Sequence, residues 1–371
     1  MAVQSNLQRK LSYLPWPLIG LAGLCFTLLL FLLQLPFFFS PGWLKTGANL
    51  LEHLYILIWL LVVTAFNRTV SLRTLLAFGF MGLYLIVTLA VLTGWPVAAL
   101  LGENSQFLSS IWAPLTEELL KALPVALYFW LATRSRRWQP AATDGLLLGF
   151  VVGAGFAFYE DTLDLRVSGS GWLASGWSIF WPVLTSSGSI FQSSRVNLGH
   201  AGWTALVGLA LGLAFLYRRY RYAWLAPLLA LGLVMLDHGL GNYMGDLGRH
   251  AAPLLLDLLY TLLLRGRLVV VILLIGIVVT IVLEQRMLRW ASARDRFFPA
   301  IPLSTLQHEL FRPLNWPQLY HLQETFEYLR RRRAAYYTLW LWRDKGVEAD
   351  QGAEMAATLF TLGVNAGLPL K

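Results

Sequence analysis

The chain is poor in cysteine and poor in charge. Its single thiol, Cys25, excludes an intramolecular disulfide and any multi-cysteine zinc site. Charged residues are 13% of the 371 and hydrophobic residues 57%, whereas an ordinary soluble domain carries about 25% charged and roughly 45–50% apolar residues. A water-soluble globule is therefore excluded. Internal repeats and low-complexity tracts are absent as well. What is abundant is aromatic side chain, with 16 Trp, 14 Tyr and 21 Phe, residues that gather where a bilayer meets water. The formal charge of +9 comes from basic residues placed between apolar runs and in one tail, which reads as a topology signal rather than a nucleic-acid surface.

With about 20 apolar residues needed to cross a bilayer, spans are expected near Trp16–Phe38, Leu50–Phe66, Thr74–Leu92, Phe107–Leu131, Ala142–Glu160, Leu198–Tyr217, Tyr222–Tyr243 and Leu268–Glu284. The first run follows Arg9 and Lys10 and is longer than the core of a signal peptide, so it is read as a span. The fold class is thus all-α, a polytopic membrane helix bundle of about eight transmembrane helices with a small cytoplasmic helical tail. Arg9, Lys10, Arg68, Arg73, Arg134, Arg136, Arg137, Arg218, Arg219 and Arg221 fall in segments on one side. Lys45, Arg166, Arg195, Arg249, Arg265 and Arg267 fall on the other, in longer segments. The positive-inside rule then makes both termini cytoplasmic in a multi-pass cell-membrane protein.

Gly169–Ile190 is read as an interfacial or re-entrant piece, and Ala251–Leu264, interrupted by Asp257, as lying in the outer interface or extending the last span. The chain divides into residues 1–106 (three spans), 107–243 (a polar-bearing bundle), 244–289 (an interfacial segment and the last span) and 290–371 (the tail). The tail carries Arg330–Arg333, a solvated face or a contact with anionic lipid headgroups. No nucleic-acid recognition motif is present.

Ionisable residues inside hydrocarbon are costly, so each is a functional candidate. The fourth span carries Glu117, Glu118 and Lys121, with Glu117 and Lys121 four apart and hence on one helix face. The fifth ends in Glu160 and Asp161, after Gly145, Gly149, Gly153 and Ala157 at intervals of four, a stripe through which a neighbouring helix can approach closely. The sixth opens on His200, followed on its face by Thr204, Gly208 and Gly212. The seventh holds Asp237, His238 and Asn242. Each has a bland reading: helix-start glutamates, interfacial acids, hydrogen-bonded interhelical histidines. Their depths argue otherwise. Odd and even spans run in opposite directions, yet all four clusters fall in the outer half of the bilayer, while the inner halves are nearly all apolar. Carboxylates and imidazoles without thiols suit water activation, at a divalent metal such as zinc or by a carboxylate base alone. No HExxH is present.

At these residues the chain resembles the PrsW family of intramembrane proteases, related to the CAAX-processing and bacteriocin-immunity membrane proteases. The EExxK element is Glu117-Glu118-Leu-Leu-Lys121, and the glycine-rich element with FAxxE is Gly153-Ala-Gly155-Phe156-Ala-Phe-Tyr-Glu160. The third centres on His200, and the HxxxN element is His238 with Asn242. Asp161 stands where the family pattern usually has Asn, and the likeness spans about Phe107–Tyr243. The resemblance implies cleavage of a membrane-anchored protein substrate, of which an anti-sigma factor cut outside the membrane is the best-known type. It implies Glu117 and Glu118 as catalytic carboxylates, His200 as essential, and Glu160, His200 and His238 as metal ligands or orienting groups. Lys121, Asn242 and Asp161 complete the polar site, Lys121 holding one carboxylate ionised. Two other classes fit the same residues: a proton-coupled transporter using them as a relay, and a catalytically silent scaffold. Nothing in the sequence sets an oligomeric state.

Overall fold

The computed structural model describes residues 43–102, 105–134, 138–167, 199–247, 253–264, 267–294, 316–342 and 349–365. The expected span Trp16–Phe38, Cys25 and the segment Gly169–Ile190 lie outside them. The described residues form an all-α membrane helix bundle. Helix α1 is Trp43–Val63; α2 (Leu72–Phe80) runs through a π-helical turn, Met81–Ile86, into α3 (Val87–Leu101). A second π turn, Leu108–Trp112, leads into α4 (Ala113–Arg134). Then follow α5 (Ala142–Val167), α6 (Gly199–Leu216), α7 (Leu225–Leu247), α8 (Leu254–Leu262), α9 (Arg267–Ser292), α10 (Trp316–Leu341) and α11 (Ala349–Asn365).

Among the described residues five helical stretches are long and apolar enough to cross a membrane: Leu72–Leu101, Ala142–Glu160, Gly199–Leu216, Arg221–Met244 and Leu268–Ser292. The expected spans at Leu50–Phe66 and Phe107–Leu131 fall on α1 and α4, which are helical but not among those five stretches. On α4, Leu115, Leu119, Leu123 and Leu127 are exposed while Glu118, Lys121 and Val125 are buried. A helix with apolar residues outward and polar residues inward is what lipid on one side and a polar interior on the other require. The segment around Asp257 forms α8, nine residues long and so about 14 Å, too short to cross. Its Tyr260 packs against Leu240 and Met244 at the end of α7, and Leu254, Leu255 and Leu258 face outward.

Helices α5 and α6 form the centre, buried over most of their length. Apolar residues all round each helix leave no face suited to water. The glycine stripe explains how close they come. A methyl group on Gly145 would fall on the Gly208 carbonyl, one on Gly149 on that of Thr204, and one on Gly153 on that of His200. Only a residue without Cβ permits such backbone contact. Helices α1, α2, α4 and α9 pack around α5, while α4, α7 and α9 also touch α6.

The tail helix α10 docks on one end of this bundle. Tyr337 packs with Ala141, Ala142, Leu216 and Met287, Gln139 donates its N–H to the Ala334 carbonyl at 3.4 Å, and Arg218 reaches the Gln139 amide oxygen at 3.4 Å. Segments following α1, α4 and α6 therefore meet the tail at the same end, as the distribution of arginines predicts.

That end also holds two buried acids. The inner halves of the spans are not apolar throughout: Asp144 at the start of α5 and Glu284 late in α9 are both fully buried. Asp144 accepts from the backbone N–H groups of Thr69, Val70 and Ala141 and from the Thr69 hydroxyl. Glu284 accepts from Asn67 and from the N–H and hydroxyl of Thr143. Both carboxylates gather donors from loops and a helix start, groups that would otherwise be unpaired at the edge of the bilayer.

The stripe yields a paired prediction. Gly149→Ala is expected to lower the thermal unfolding midpoint of the purified protein, at a cost of at least about 1–3 kcal/mol from overpacking. Gly232→Ala on α7, where a Cβ would meet nothing within 4 Å, is expected to be neutral or stabilising. Equal effects of the two would contradict the close approach.

Candidate active site

The first turns of α4 bring Glu117, Glu118 and Lys121 inward because the opposite face is the leucine row just described. Lys121 and Glu118 are buried, at 0% and 1% side-chain exposure. The Lys121 ammonium donates to Glu118 Oε1 at 2.7 Å and to His200 Nδ1 at 2.6 Å. It lies 3.7 Å from Glu117 Oε2 and 4.4 Å from the centre of the Phe156 ring. An ammonium has only donors, so His200 Nδ1 accepts, and Nε2 carries the proton directed at Glu160 Oε2, 2.5 Å away. His238 Nδ1 lies 3.1 Å from Glu118 Oε1.

Glu117, Glu118, His200 and His238, from α4, α6 and α7, thus each place a ligand-type atom within 4.8 Å of the others. Glu160 does not belong to this group of four; it joins the site through His200. It is 45% exposed, against 13% for Glu117, so the cluster is open on the Glu160 side. Asp161 lies on α5, its side chain outside the described residues. Asn242 is one turn away from the cluster: its Nδ2 donates to the Ser109 carbonyl at 2.8 Å. Pro114 has no N–H to offer the preceding turn, and Asn242 supplies a donor there. The bond ties α7 to the π turn that leads into α4 and so helps to set His238 opposite Glu118.

Two residues escaped the sequence reading. Trp203 stacks on His238, centroids 4.5 Å apart, and meets His200 edge-on at 5.2 Å. Its Nε1 donates to Asp237 Oδ2 at 2.9 Å, so Asp237 turns the indole rather than facing the carboxylates. The spacing of three between His200 and Trp203 was the available signal, since such residues share a helix face. Phe156, visible only as part of a motif, packs edge-on against His200 at 4.9 Å. These rings leave both imidazoles little rotational freedom.

The donor set also bears on a metal. Glu117 Oε2 and Glu118 Oε2 are buried without hydrogen-bond partners, and a buried unpaired carboxylate oxygen is costly. Two such oxygens beside two imidazoles fit a divalent ion with nitrogen and oxygen preference.

Buried carboxylates and imidazoles brought together by a membrane helix bundle suit an intramembrane hydrolase. A family model described as PrsW family intramembrane metalloprotease matches residues 70–283, and the chain belongs to that family. The matched region takes in every element that supplies the cluster, α4 to α7, and excludes α1, α10 and α11. Comparisons with curated proteins and with solved structures yield no match. The protein is an intramembrane protease.

Removing the ammonium tests the electrostatics. Lys121→Met leaves buried carboxylates without their counter-charge and is expected to destabilise the protein by about 3–5 kcal/mol. Adding Glu118→Gln to Lys121→Met should recover part of that loss, because the gain from pairing disappears together with the cost of the unpaired charge. A double variant no more stable than the single would show that Lys121 does not serve Glu118.

Proposed function

We propose that this protease hydrolyses a peptide bond of a membrane-anchored protein near the membrane face opposite the docked tail, an anti-sigma factor being one substrate of that type. The observation that carries this reading is the meeting of two carboxylates and two imidazoles from three helices within 4.8 Å, at the end of the bundle remote from α10. The arginines of segments 67–73 and 217–221 lie with the tail, which supports a cytoplasmic placement of that end and an outer-leaflet placement of the site.

Glu118 is pinned by Lys121 and His238. Glu117, with an unpartnered Oε2 and partial exposure, is the group placed to take a proton from the attacking water. Lys121 holds positive charge beside both carboxylates and keeps Glu118 an anion while Glu117 cycles. Glu160 fixes the ring of His200, as carboxylates behind ligating histidines do, and His200 and His238 face the volume where the oxyanion of the tetrahedral intermediate develops. A divalent ion such as zinc would need the lone pair of His200 Nδ1, which here accepts from Lys121; held by that nitrogen, His238 and a carboxylate of Glu117 or Glu118, it would supply Lewis-acid polarisation of the scissile carbonyl. Asn242 acts through helix placement.

Cleavage of a panel of single-pass membrane proteins by the purified enzyme in liposomes tests the assignment. Glu117→Gln and His200→Ala are each expected to lower the rate by about 10²–10⁴-fold; Glu117→Gln should leave the unfolding midpoint little changed, whereas His200→Ala, which strips the buried Lys121 of an acceptor, should lower it. Undiminished cleavage by either variant would remove that residue from the chemistry. Elemental analysis is expected to find one divalent ion per chain, lost in His238→Ala; metal-free protein of full activity would leave a carboxylate base alone.

A further inference from the structure

At the opposite end of the bundle, α10 lays one face over the loop that follows α1. Arg330 Nη1 donates to the Thr69 carbonyl at 2.7 Å, Tyr337 hydroxyl to the Asn67 carbonyl at 3.3 Å, and from the loop itself Arg68 Nη1 donates to the Val70 carbonyl at 3.2 Å. Arg333 lies between Arg330 and Tyr337 on this face, three and four residues from each, and its electrostatic neighbours are Tyr337, Arg68, Asp144 and Arg330. Three guanidinium groups from two elements therefore crowd one spot. The Nε atoms of Arg68 and Arg333 are buried there with no hydrogen-bond partner.

The nearby carboxylates are already committed. Asp144 has four donors on its two oxygens, and Glu284 has three. Glu327 binds Arg330 and Arg331; burial pushes its carboxyl up, but these two arginines outweigh that and hold it below the usual range. Arg331 also lies over the Trp138 ring, 5.5 Å from its centre, and Arg332 donates to the Tyr336 hydroxyl. The four-arginine run thus divides: two of its members are satisfied locally, one bridges to the loop, and Arg333 is left facing Arg68. Burial together with Arg68 and Arg330 brings the Arg333 guanidinium down to about 10, still a cation at neutral pH.

The geometry points to an anion site between α10 and the loop after α1, in which Arg68 and Arg333 grip a phosphate group. A guanidinium presents Nε–H and Nη–H as a parallel pair matched to two oxygens of one tetrahedral anion, and two neighbouring guanidiniums, each with an unbonded buried Nε, suit a phosphate better than a single carboxylate. The phosphate is that of an acidic phospholipid, since the site lies at the end of the membrane helices where headgroups sit, or of a soluble phosphorylated molecule; the chemistry of capture is the same. Bound there, it would join the tail to the membrane core through one arginine from each.

The test uses the full-length protein and two probes. Inorganic phosphate is titrated at constant ionic strength against chloride in neutral detergent, and phosphatidylglycerol replaces phosphatidylcholine in nanodiscs. At least one probe is expected to raise the unfolding midpoint by about 4 °C or more near saturation. Response to phosphatidylglycerol alone assigns the lipid, and response to phosphate assigns a soluble ligand; either supports the site. In Arg333→Gln the shift should vanish, because one of the two guanidinium forks has been removed. Arg331→Gln should keep the shift. The site is overturned if neither probe moves the wild-type midpoint or if Arg333→Gln responds like wild type. Should Arg333→Gln fail to fold, Arg68→Gln carries the same expectations.

Discussion

The buried ammonium of Lys121 is the interaction on which the site depends. A lone cation in the interior of a membrane protein is strongly unfavourable, and two neighbouring carboxylates are unfavourable in the opposite sense. Placing Lys121 on Glu118 and His200, with Glu117 beside it, resolves both problems with one group. It also reaches across helices: α4 supplies the lysine and carboxylates, α6 the imidazole, and the α5 ring of Phe156 closes over the ammonium. The second histidine enters through Glu118. Polar groups that lipid would reject become a reason for these helices to associate.

Around that cluster the bundle separates two tasks. Close backbone contact of α5 with α6, possible because Gly145, Gly149 and Gly153 lack side chains, makes a rigid centre with little room for water between its ends. At one end lie the carboxylate and imidazole groups, opening at Glu160. At the other, Asp144 and Glu284 collect the donors of loop and helix termini, and the tail closes over them through Tyr337 and Arg330. From Asp144 to Glu160 is sixteen residues of α5, about 24 Å of helix, and the intervening face is glycine against backbone. Two polar clusters so divided do not form a relay through the membrane, which weighs against transport and agrees with the protease family.

Aromatic residues set the orientation of the chemistry. Asp237 holds Trp203 by its indole N–H, and Trp203 in turn stacks on His238 and abuts His200. This aspartate is adjacent to His238 in sequence, yet its task is one step removed from the carboxylate cluster. Adjacent residues on a helix point about 100° apart, so neighbours in the chain need not share a site.

The membrane character, the helical class, the segments that share one end and the set of polar residues that meet were all legible in the sequence. Each follows from local rules: apolar length, the sidedness of arginine, the period of a helix, and the high cost of charge in hydrocarbon. Glu117, Glu118, His200 and His238 were readable because hydrocarbon makes any ionisable residue conspicuous. Asp144 and Glu284 were not: each falls near the end of an expected span, where an acid is ordinary, and their burial depends on loops and a tail distant in sequence. The partner of Asn242, the placement of Glu160 behind His200, and the division of the arginine run into satisfied and unsatisfied members were likewise decided only by the tertiary structure. Such pairings depend on which faces of separate helices come into contact, and periodicity within one helix carries no information about its neighbour.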